Sequence, residues 1–314
     1  MKLSKFISFS TLILGFRGQV SDKKKEFKEE YDDIIRQHPY LALSPPFAEA
    51  LENDYFDFGG DTVINKNSHI RLTADKPSKQ GYIWSTKTLP KQNWKVEFEF
   101  KVTGAGSTIS GDGFAFWATE ERMVPGPVFG SKDNFKGLGV FFDTYSNGYH
   151  SDFTFPYIFG FIGDGVTQYS LSDDGVNQNI GNCSISIRNK SYVTKATVIY
   201  VRGKFLIVAI QDEESGKPRN CFYNKGVTLP DRLYMGFSAL TGQLSDNHDI
   251  LNVKTYHAEV NPDAPDQMYQ RKGASRGKGP SFVGFLFKVL IVGVIGYLIY
   301  LGYNKYAVQS KKRF

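Results

Sequence analysis

From about Phe47 to Val260 apolar side chains recur at every second position, and no helical pattern alternates with them. The clearest stretch is Lys95-Val96-Glu97-Phe98-Glu99-Phe100-Lys101-Val102, in which four apolar residues point one way and the charges the other. A strand of this kind buries one face only, so its partner has to be another sheet. Further strands are predicted at Phe114–Thr119, Leu138–Phe142, Tyr157–Ile162, Ala196–Val201, Phe205–Gln211, Leu233–Ala239 and Leu251–Glu259, separated by Gly, Asn, Asp and Pro clusters. With 31 Gly, 26 Phe and 18 Tyr, the composition predicts an all-β protein, an antiparallel β-sandwich or jelly roll.

The chain has 314 residues, and a domain of roughly 220 of them would bury some 70% of its unfolded surface. The net charge of +6 is misleading, because 12 of the 38 Lys and Arg lie in the first 17 residues or beyond residue 260, with only 2 of the 32 acids. The body is mildly acidic and offers no clustered positive face, which argues against nucleic acid as a partner.

Residues 1–18 begin with Lys2 and Lys5 and continue into a short apolar run, Phe6 to Phe16, the pattern of a cleaved signal peptide. Residues 19–44 form an N-terminal arm, within which 22–37 carry a helical pattern (Phe27, Tyr31, Ile34, Ile35) that His38-Pro39 ends, read as either a short peripheral helix or a charged, poorly ordered arm. The lumenal domain is assigned to residues 45–260 and a flexible stem, rich in Gly, Pro and Asp, to 261–280. Residues 281–303 are apolar apart from Lys288 and would rise about 35 Å as a helix, enough to span a bilayer. Basic residues flank both ends, so the signal peptide sets the orientation: body in the lumen, residues 304–314 in the cytosol.

Cys183 and Cys221 are the only cysteines, an even count in a chain that enters an oxidising compartment, and they are predicted to pair. Asn182-Cys183-Ser184 and Asn189-Lys190-Ser191 are glycosylation sequons, with Asn189 the better candidate because Asn182 adjoins the disulfide.

The apolar run Gly137–Phe142 leads directly into Asp143-Thr144-Tyr145-Ser146-Asn147, and Asp174 follows one hairpin later. Side-chain oxygens from Asp143, Asn147 and Asp174 with the Tyr145 carbonyl make a hard, all-oxygen donor set suited to calcium. Taken alone, D-x-x-x-N is also an ordinary turn after a strand. The flanking motifs are Ser110-Gly111-Asp112-Gly113 before Phe114–Trp117, Val124-Pro125-Gly126-Pro127-Val128-Phe129-Gly130, and Leu240-Thr241-Gly242-Gln243-Leu244-Ser245-Asp246-Asn247-His248-Asp249.

This set of motifs, in this order and approximate spacing, resembles the L-type lectins, in particular the legume-lectin-like, mannose-binding cargo receptors of the ER–Golgi pathway. The resemblance covers about residues 40–260. It implies a Ca2+ site at Asp143, Tyr145, Asn147 and Asp174, and no second, manganese-type site, since Phe141 stands where plant relatives carry an acidic ligand. It further implies a carbohydrate site in which the Asp112 carboxylate receives two mannose hydroxyls, with Ser78, Tyr145, Asn147, Gly242, Gln243 and Leu244 completing the contacts. The same comparison makes Gly111–Asp112 a candidate cis peptide, against the alternative of a tight glycine turn. Two departures stand out: the family's sugar-contacting His falls at Leu171, and the Asp of its Gly-Asp-Leu loop is Gln243. Losing the imidazole removes a hydrogen bond worth about 1 kcal/mol and the obvious pH-sensitive group, leaving His150 as a substitute in sequence and carboxylate protonation as the route to acid release.

The tail ends Lys311-Lys312-Arg313-Phe314, with lysines at the fourth and third positions from the end. It resembles the retrieval signal read by the COPI coat, and its terminal Phe resembles export signals read by COPII. The expected function is therefore a type I membrane lectin that carries high-mannose glycoprotein cargo in ER–Golgi transport, alone or oligomerised with itself or another lectin. Two alternatives stand beside it. A sugar-independent trafficking adaptor would keep the fold and bind protein surfaces, as Leu171 and Gln243 would permit. A glycoside hydrolase would need two carboxylates at a sugar, and Glu97 with Glu99, flanked by Lys95 and Lys101, has the look of a solvated strand face.

Overall fold

A computed structural model describes residues 35–106, 110–148, 154–214 and 216–258. Their strands, in chain order, are β1 (Ile35–Gln37), β2 (Phe56–Gly60), β3 (Val63–Asn65), β4 (His69–Thr73), β5 (Gln80–Thr88), β6 (Asn93–Thr103), β7 (Gly113–Thr119) and β8 (Lys136–Asp143). They continue with β9 (Tyr157–Asp164), β10 (Gly181–Ser184), β11 (Thr194–Val201), β12 (Phe205–Gln211), β13 (Arg219–Lys225), β14 (Tyr234–Leu240) and β15 (Asn247–Ala258). They form two antiparallel sheets, one of eight strands in the order β13-β12-β11-β6-β15-β4-β3 with β1 added to β15, the other of seven in the order β10-β9-β8-β7-β14-β5-β2. The all-β sandwich expected from the period-two pattern is present. The predicted signal peptide, stem, transmembrane helix and cytosolic tail lie outside the described residues, among which no helix is long and apolar enough to cross a membrane.

β6 shows why the sheets face one another. Its burial alternates strictly, with Trp94, Val96, Phe98, Phe100 and Val102 inside. Phe98 stacks on Phe116 of β7 at 5.6 Å and meets Phe237 of β14 edge-on at 5.0 Å, while Phe114 stacks on Phe142 at 4.4 Å. Offset and edge-to-face pairs of this kind contribute about 0.5–1.5 kcal/mol each beyond the area they bury.

β7 does not alternate: all seven of its residues are buried. Its second face lies under a separate aromatic layer containing Trp84, Trp117, Phe129, Phe135, Phe141, Phe159 and Tyr169. This layer stands between the seven-stranded sheet and the loops that cross its outer side, so the strands that deliver the site are packed on both faces.

Cys183 on β10 is bonded to Cys221 on β13, with Cα atoms 5.0 Å apart. Each belongs to the outermost strand of a different sheet, so the bridge joins the two sheets at one edge of the sandwich. On the chain-entropy model, closing a loop of this length stabilises the fold by about 4 kcal/mol.

The helical expectation for residues 22–37 needs correction where it can be checked. Ile35–Gln37 is strand β1, paired with Ala258–Tyr256, while residues 22–34 lie outside the described part. β15 is 12 residues long and β4 pairs only near its start, so an open edge remains for an extended segment to fill. Leu41 and Leu43 are buried behind that strand, and the sandwich therefore reaches back beyond residue 45. A short helix, α1 (Ala48–Glu52), lies within a stretch where only strand periodicity is read from the sequence.

His248 of β15 is 1% exposed and shares a 2.7 Å hydrogen bond through Nδ1 with the Thr73 hydroxyl. Burial drives its pKa from 6.5 down to about 3, against a small opposing pull from Asp75. A depressed folded pKa means the contribution is intact above the unfolded value and is lost as pH falls through the window from 6.5 to about 3. Thermal melts across that window are expected to show a stability loss approaching roughly 1.4 kcal/mol per pH unit from this group. In His248→Gln the slope should flatten; an unchanged slope would remove His248 from the account.

Candidate functional site

Five connections converge at one end of the seven-stranded sheet. β8 ends at Asp143, which is 2% exposed, and its Oδ1 accepts the backbone N–H of Tyr145 at 2.9 Å. That bond makes the chain turn at once, so Tyr145, Ser146 and Asn147 fold back over the strand end. Asp174, 0% exposed and left-handed at φ 50, closes the short 3-10 turn Leu171–Asp173. It meets the first loop through Asn147, whose backbone N–H lies 3.0 and 3.2 Å from its two carboxylate oxygens and whose Nδ2 donates at 2.6 Å.

The second half of the site is built on Asp112. The Gly111–Asp112 peptide is cis. The Asp112 carbonyl accepts from Thr144 N–H at 2.9 Å and from the Thr144 hydroxyl at 3.2 Å, and the Asp112 N–H donates to Leu240 O at 3.3 Å. This residue is therefore fastened both to the loop of Asp143 and to the end of β14. Its carboxylate accepts the backbone N–H of Gly242. A side chain at position 242 would place Cβ 3.2 Å from both carboxylate oxygens, so glycine leaves the amide free to approach. Gly111 is hemmed in likewise, since a Cβ there would sit 3.1 Å from that of Tyr145 and 3.5 Å from that of Leu244.

Ser78 enters from the β4–β5 connection. Its N–H donates to Gly242 O at 2.9 Å, Lys79 N–H to the Thr241 hydroxyl at 2.8 Å, and Thr241 N–H to Lys79 O at 2.8 Å. The structure thus gathers Ser78, Asp112, Asp143, Tyr145, Asn147, Asp174 and Gly242-Gln243-Leu244 into one connected set of loops.

Electrostatically this corner is unusual. Desolvation pushes the Asp143 carboxyl well above the usual carboxylate range, the Tyr145 N–H opposes that, and the charges of Asp174 and Asp112 add to the rise. Desolvation also lifts Asp112 to about 6, with the Gly242 N–H pulling the other way. Among the described groups that set the Asp143 value none is a cation. Two neighbours missed in the sequence are Tyr157 and Tyr169, whose phenols are pushed up first by burial and then by Asp143 and Asp174, the former to about 12. They form neutral walls beside the acids, and nothing in their local sequence distinguishes them from other sandwich tyrosines.

Such a pocket of buried carboxylates, an amide and a carbonyl fits a hard divalent ion. Among the described residues no three His, Cys, Asp or Glu side chains cluster as a zinc site would require. Phe141 is an integral part of the aromatic layer, 4.9 Å from Phe129, 5.2 Å from Trp117 and 5.1 Å from Phe159, ring centre to ring centre.

Other expected residues fall elsewhere. Leu171 is 49% exposed beside the Asp174 turn. His150 and the tail residues Lys311, Lys312, Arg313 and Phe314 lie outside the described part. Glu97 and Glu99 sit on the opposite sheet, paired with Lys95 at 2.6 Å and Lys195 at 2.8 Å, which matches the solvated strand face read from the sequence. The loop Ser245–Asp249 turns out to brace rather than line the site: Arg71 holds Asp249 through two 2.8 Å hydrogen bonds, and Arg188 Nε lies 2.9 Å from both oxygens of Asp246.

The profile of the legume-like lectin family matches residues 36–263. Mouse vesicular integral-membrane protein VIP36 is 42% identical over 251 residues, covering 79% of this chain and 68% of the relative. The human VIP36-like protein is 35% identical over 311 residues, covering 91% and 87% respectively. Among solved structures, the VIP36 exoplasmic/lumenal domain in a Ca2+/Man-bound form superposes with a TM-score of 0.69 at 38% identity, over 73% of this chain and 94% of that one. The family match, the identities and the superposition agree, and the chain belongs to the legume-like lectin family, a family of lectins rather than enzymes.

Proposed function

We propose that this protein is a calcium-dependent, membrane-anchored lectin that binds high-mannose glycans on glycoprotein cargo in ER–Golgi transport. The observation that carries the reading is the joining of Asp112 to the buried pair Asp143 and Asp174 through Thr144, Tyr145 and Asn147. Support comes from VIP36, a vesicular integral-membrane protein whose lumenal domain has been solved in Ca2+-bound, Ca2+/Man-bound and Ca2+/Man3GlcNAc-bound forms.

In this reading Asp143, Tyr145, Asn147 and Asp174 hold the ion, which when bound supplies the positive charge that two buried carboxylates require. Asp112 accepts hydroxyl protons of the sugar, and a desolvated carboxylate makes the stronger class of hydrogen bond. Gly242 N–H fixes the carboxylate's rotamer while leaving it acceptor capacity. Gln243 and Leu244 bound the opposite side of the pocket, next to Ser78. Millimolar affinity for one sugar corresponds to about 4 kcal/mol, so cargo capture draws on several glycans or on oligomerisation. Retrieval through Lys311 and Lys312 by COPI and export through Phe314 by COPII belong to the same proposal.

A sugar-independent adaptor is kept as a second reading on one observation: position 171, where the family offers imidazole, presents an exposed leucine. The two readings separate on a mannose column. Retention is expected in calcium and not in chelator, and Asp112→Ala should reduce it at least tenfold. Cargo capture that survives Asp112→Ala would favour the adaptor.

The ion assignment has its own test. Calcium should raise the thermal midpoint of the wild-type domain by several degrees, since binding at a large excess over Kd adds about 3 kcal/mol. Asp143→Asn and Asp174→Asn keep the side-chain shape but remove the charge, and neither should respond. Equal responses in wild type and both variants would place the ion elsewhere.

A further inference from the structure

The two sequons differ in what their asparagines already hold. Asn182 is exposed on β10, the outermost strand of its sheet, and its Nδ2 donates to the side-chain oxygen of Asn179 at 3.1 Å. That partner is another side chain, half-buried and itself donating through Nδ2 to Val176 O, so the contact is side chain to side chain and holds no main chain against the Asn182 amide. Asn189 is exposed as well, so accessibility does not separate the two. Its amide, however, is paired edge to edge with the main chain of Gly104: Gly104 N–H donates to Asn189 Oδ1 at 3.0 Å, and Asn189 Nδ2 donates to Gly104 O at 3.1 Å. The backbone is fixed too, with Asn189 N–H on Val102 O at 2.8 Å and φ at +52.

Amide stereochemistry turns this contact into a constraint. A carboxamide makes a two-point contact with its oxygen and with the N–H hydrogen on the same side as that oxygen. An N-linked glycan is joined through a planar secondary amide whose trans form is strongly preferred, which puts the sugar carbon opposite Cβ and therefore on the oxygen's side. The hydrogen replaced by the sugar is thus the one donated to Gly104 O, and the first sugar ring would occupy the space of the Gly104 main chain. Glycosylation of Asn189 and the observed clamp exclude each other.

The clamp also has a position in the site. Gly104 opens the segment that ends at Asp112, and the next residue, Ala105, donates its N–H to Asp75 Oδ2 at 2.8 Å. Asp75 Oδ1 accepts the Ser245 hydroxyl at 2.6 Å, and Arg188, next to Asn189, holds Asp246. One small network therefore ties Gly104 and Ala105, at the start of the β6–β7 connection, to the loop that presents Gly242 and Leu244.

We propose that the folded protein carries its N-linked glycan on Asn182 and leaves Asn189 unmodified, with Asn189 acting as a positioning residue that holds Gly104 and, through Ala105 and Asp75, braces the loop of Gly242 and Leu244. The proposal rests on the lumenal placement of the domain. It is tested by expressing the full chain in a eukaryotic secretory system and comparing wild type, Asn182→Gln, Ser191→Ala and Asn189→Ala for gel mobility with and without endoglycosidase, for mannose retention well below each melting midpoint, and for protease protection in sealed vesicles.

The wild type should lose one glycan step on digestion, Asn182→Gln should have none to lose, and Ser191→Ala, which destroys the second sequon but keeps its asparagine, should match the wild type in mobility and retention. Asn189→Ala should keep the glycan step yet fall severalfold in mannose retention, with its calcium response preserved. A glycan on Asn189 in protein eluted from the mannose column overturns the proposal. So does a protected domain with no glycan on Asn182. Retention by Asn189→Ala equal to wild type overturns the positioning role, and a domain digested from outside sealed vesicles sinks the lumenal reading together with the glycan assignment, which distinguishes that failure from the others.

Discussion

Two carboxylates buried within one loop cluster are the constraint around which this end of the molecule is arranged. Asp143 and Asp174 are both out of water, and the charge of one raises the pKa of the other. Burying an ionised carboxylate without compensation costs several kcal/mol, and a second like charge adds to that. The chain supplies dipoles to both: Tyr145 N–H on Asp143, and both Asn147 donors on Asp174. These bonds set the path of residues 143–147 before any ion arrives. The donor set is thus preformed in shape for the divalent ion of the proposed function.

Such a loop needs a rigid base, and the aromatic layer provides it. Phe141 lies two residues before Asp143 on β8 and packs against Trp117, Phe129, Phe159 and Tyr169. The sandwich core lies on the opposite face of the same strands. Packing on both faces fixes where β8 ends, and Asp143 is the residue at that end. The register from β7 to β8 pairs Gly113 with Asp143, so the same hydrogen-bond ladder also sets the position of Asp112. Fold and site are thus linked through one pair of strands.

Much of this was legible in the sequence because the evidence there was local. β6, β7, β8, β11 and β12 are long and apolar on at least one face, and each was placed to within a few residues. β10 and β13 escaped notice because edge strands bury little: β13 has a single fully buried position, Phe222. β1 was hidden inside a helical pattern, since its pairing with β15 is a contact across more than two hundred residues. In the site, Asp143 to Asn147 follow in sequence and could be read together. Thr144, Thr241 and the walls Tyr157 and Tyr169 could not, because their work consists of touching residues from other loops. Asn189 is the sharpest example, since its motif announces a modification while its geometry announces a clamp.

The departures at Leu171 and Gln243 acquire a physical meaning from this layout. Every residue that sets the loop framework is either charged and buried or fixed by main-chain hydrogen bonds, whereas Leu171 lies half exposed at the rim. In the proposed function a change there alters what greets the outer part of a ligand, while Asp174 stays at the other end of the same turn. Replacing an imidazole by leucine removes a hydrogen-bond donor and adds apolar surface, which shifts preference from polar branches toward the flatter, less polar faces of a saccharide or of the protein that carries it. In the proposed function, selectivity is therefore separable from the metal-dependent core of recognition.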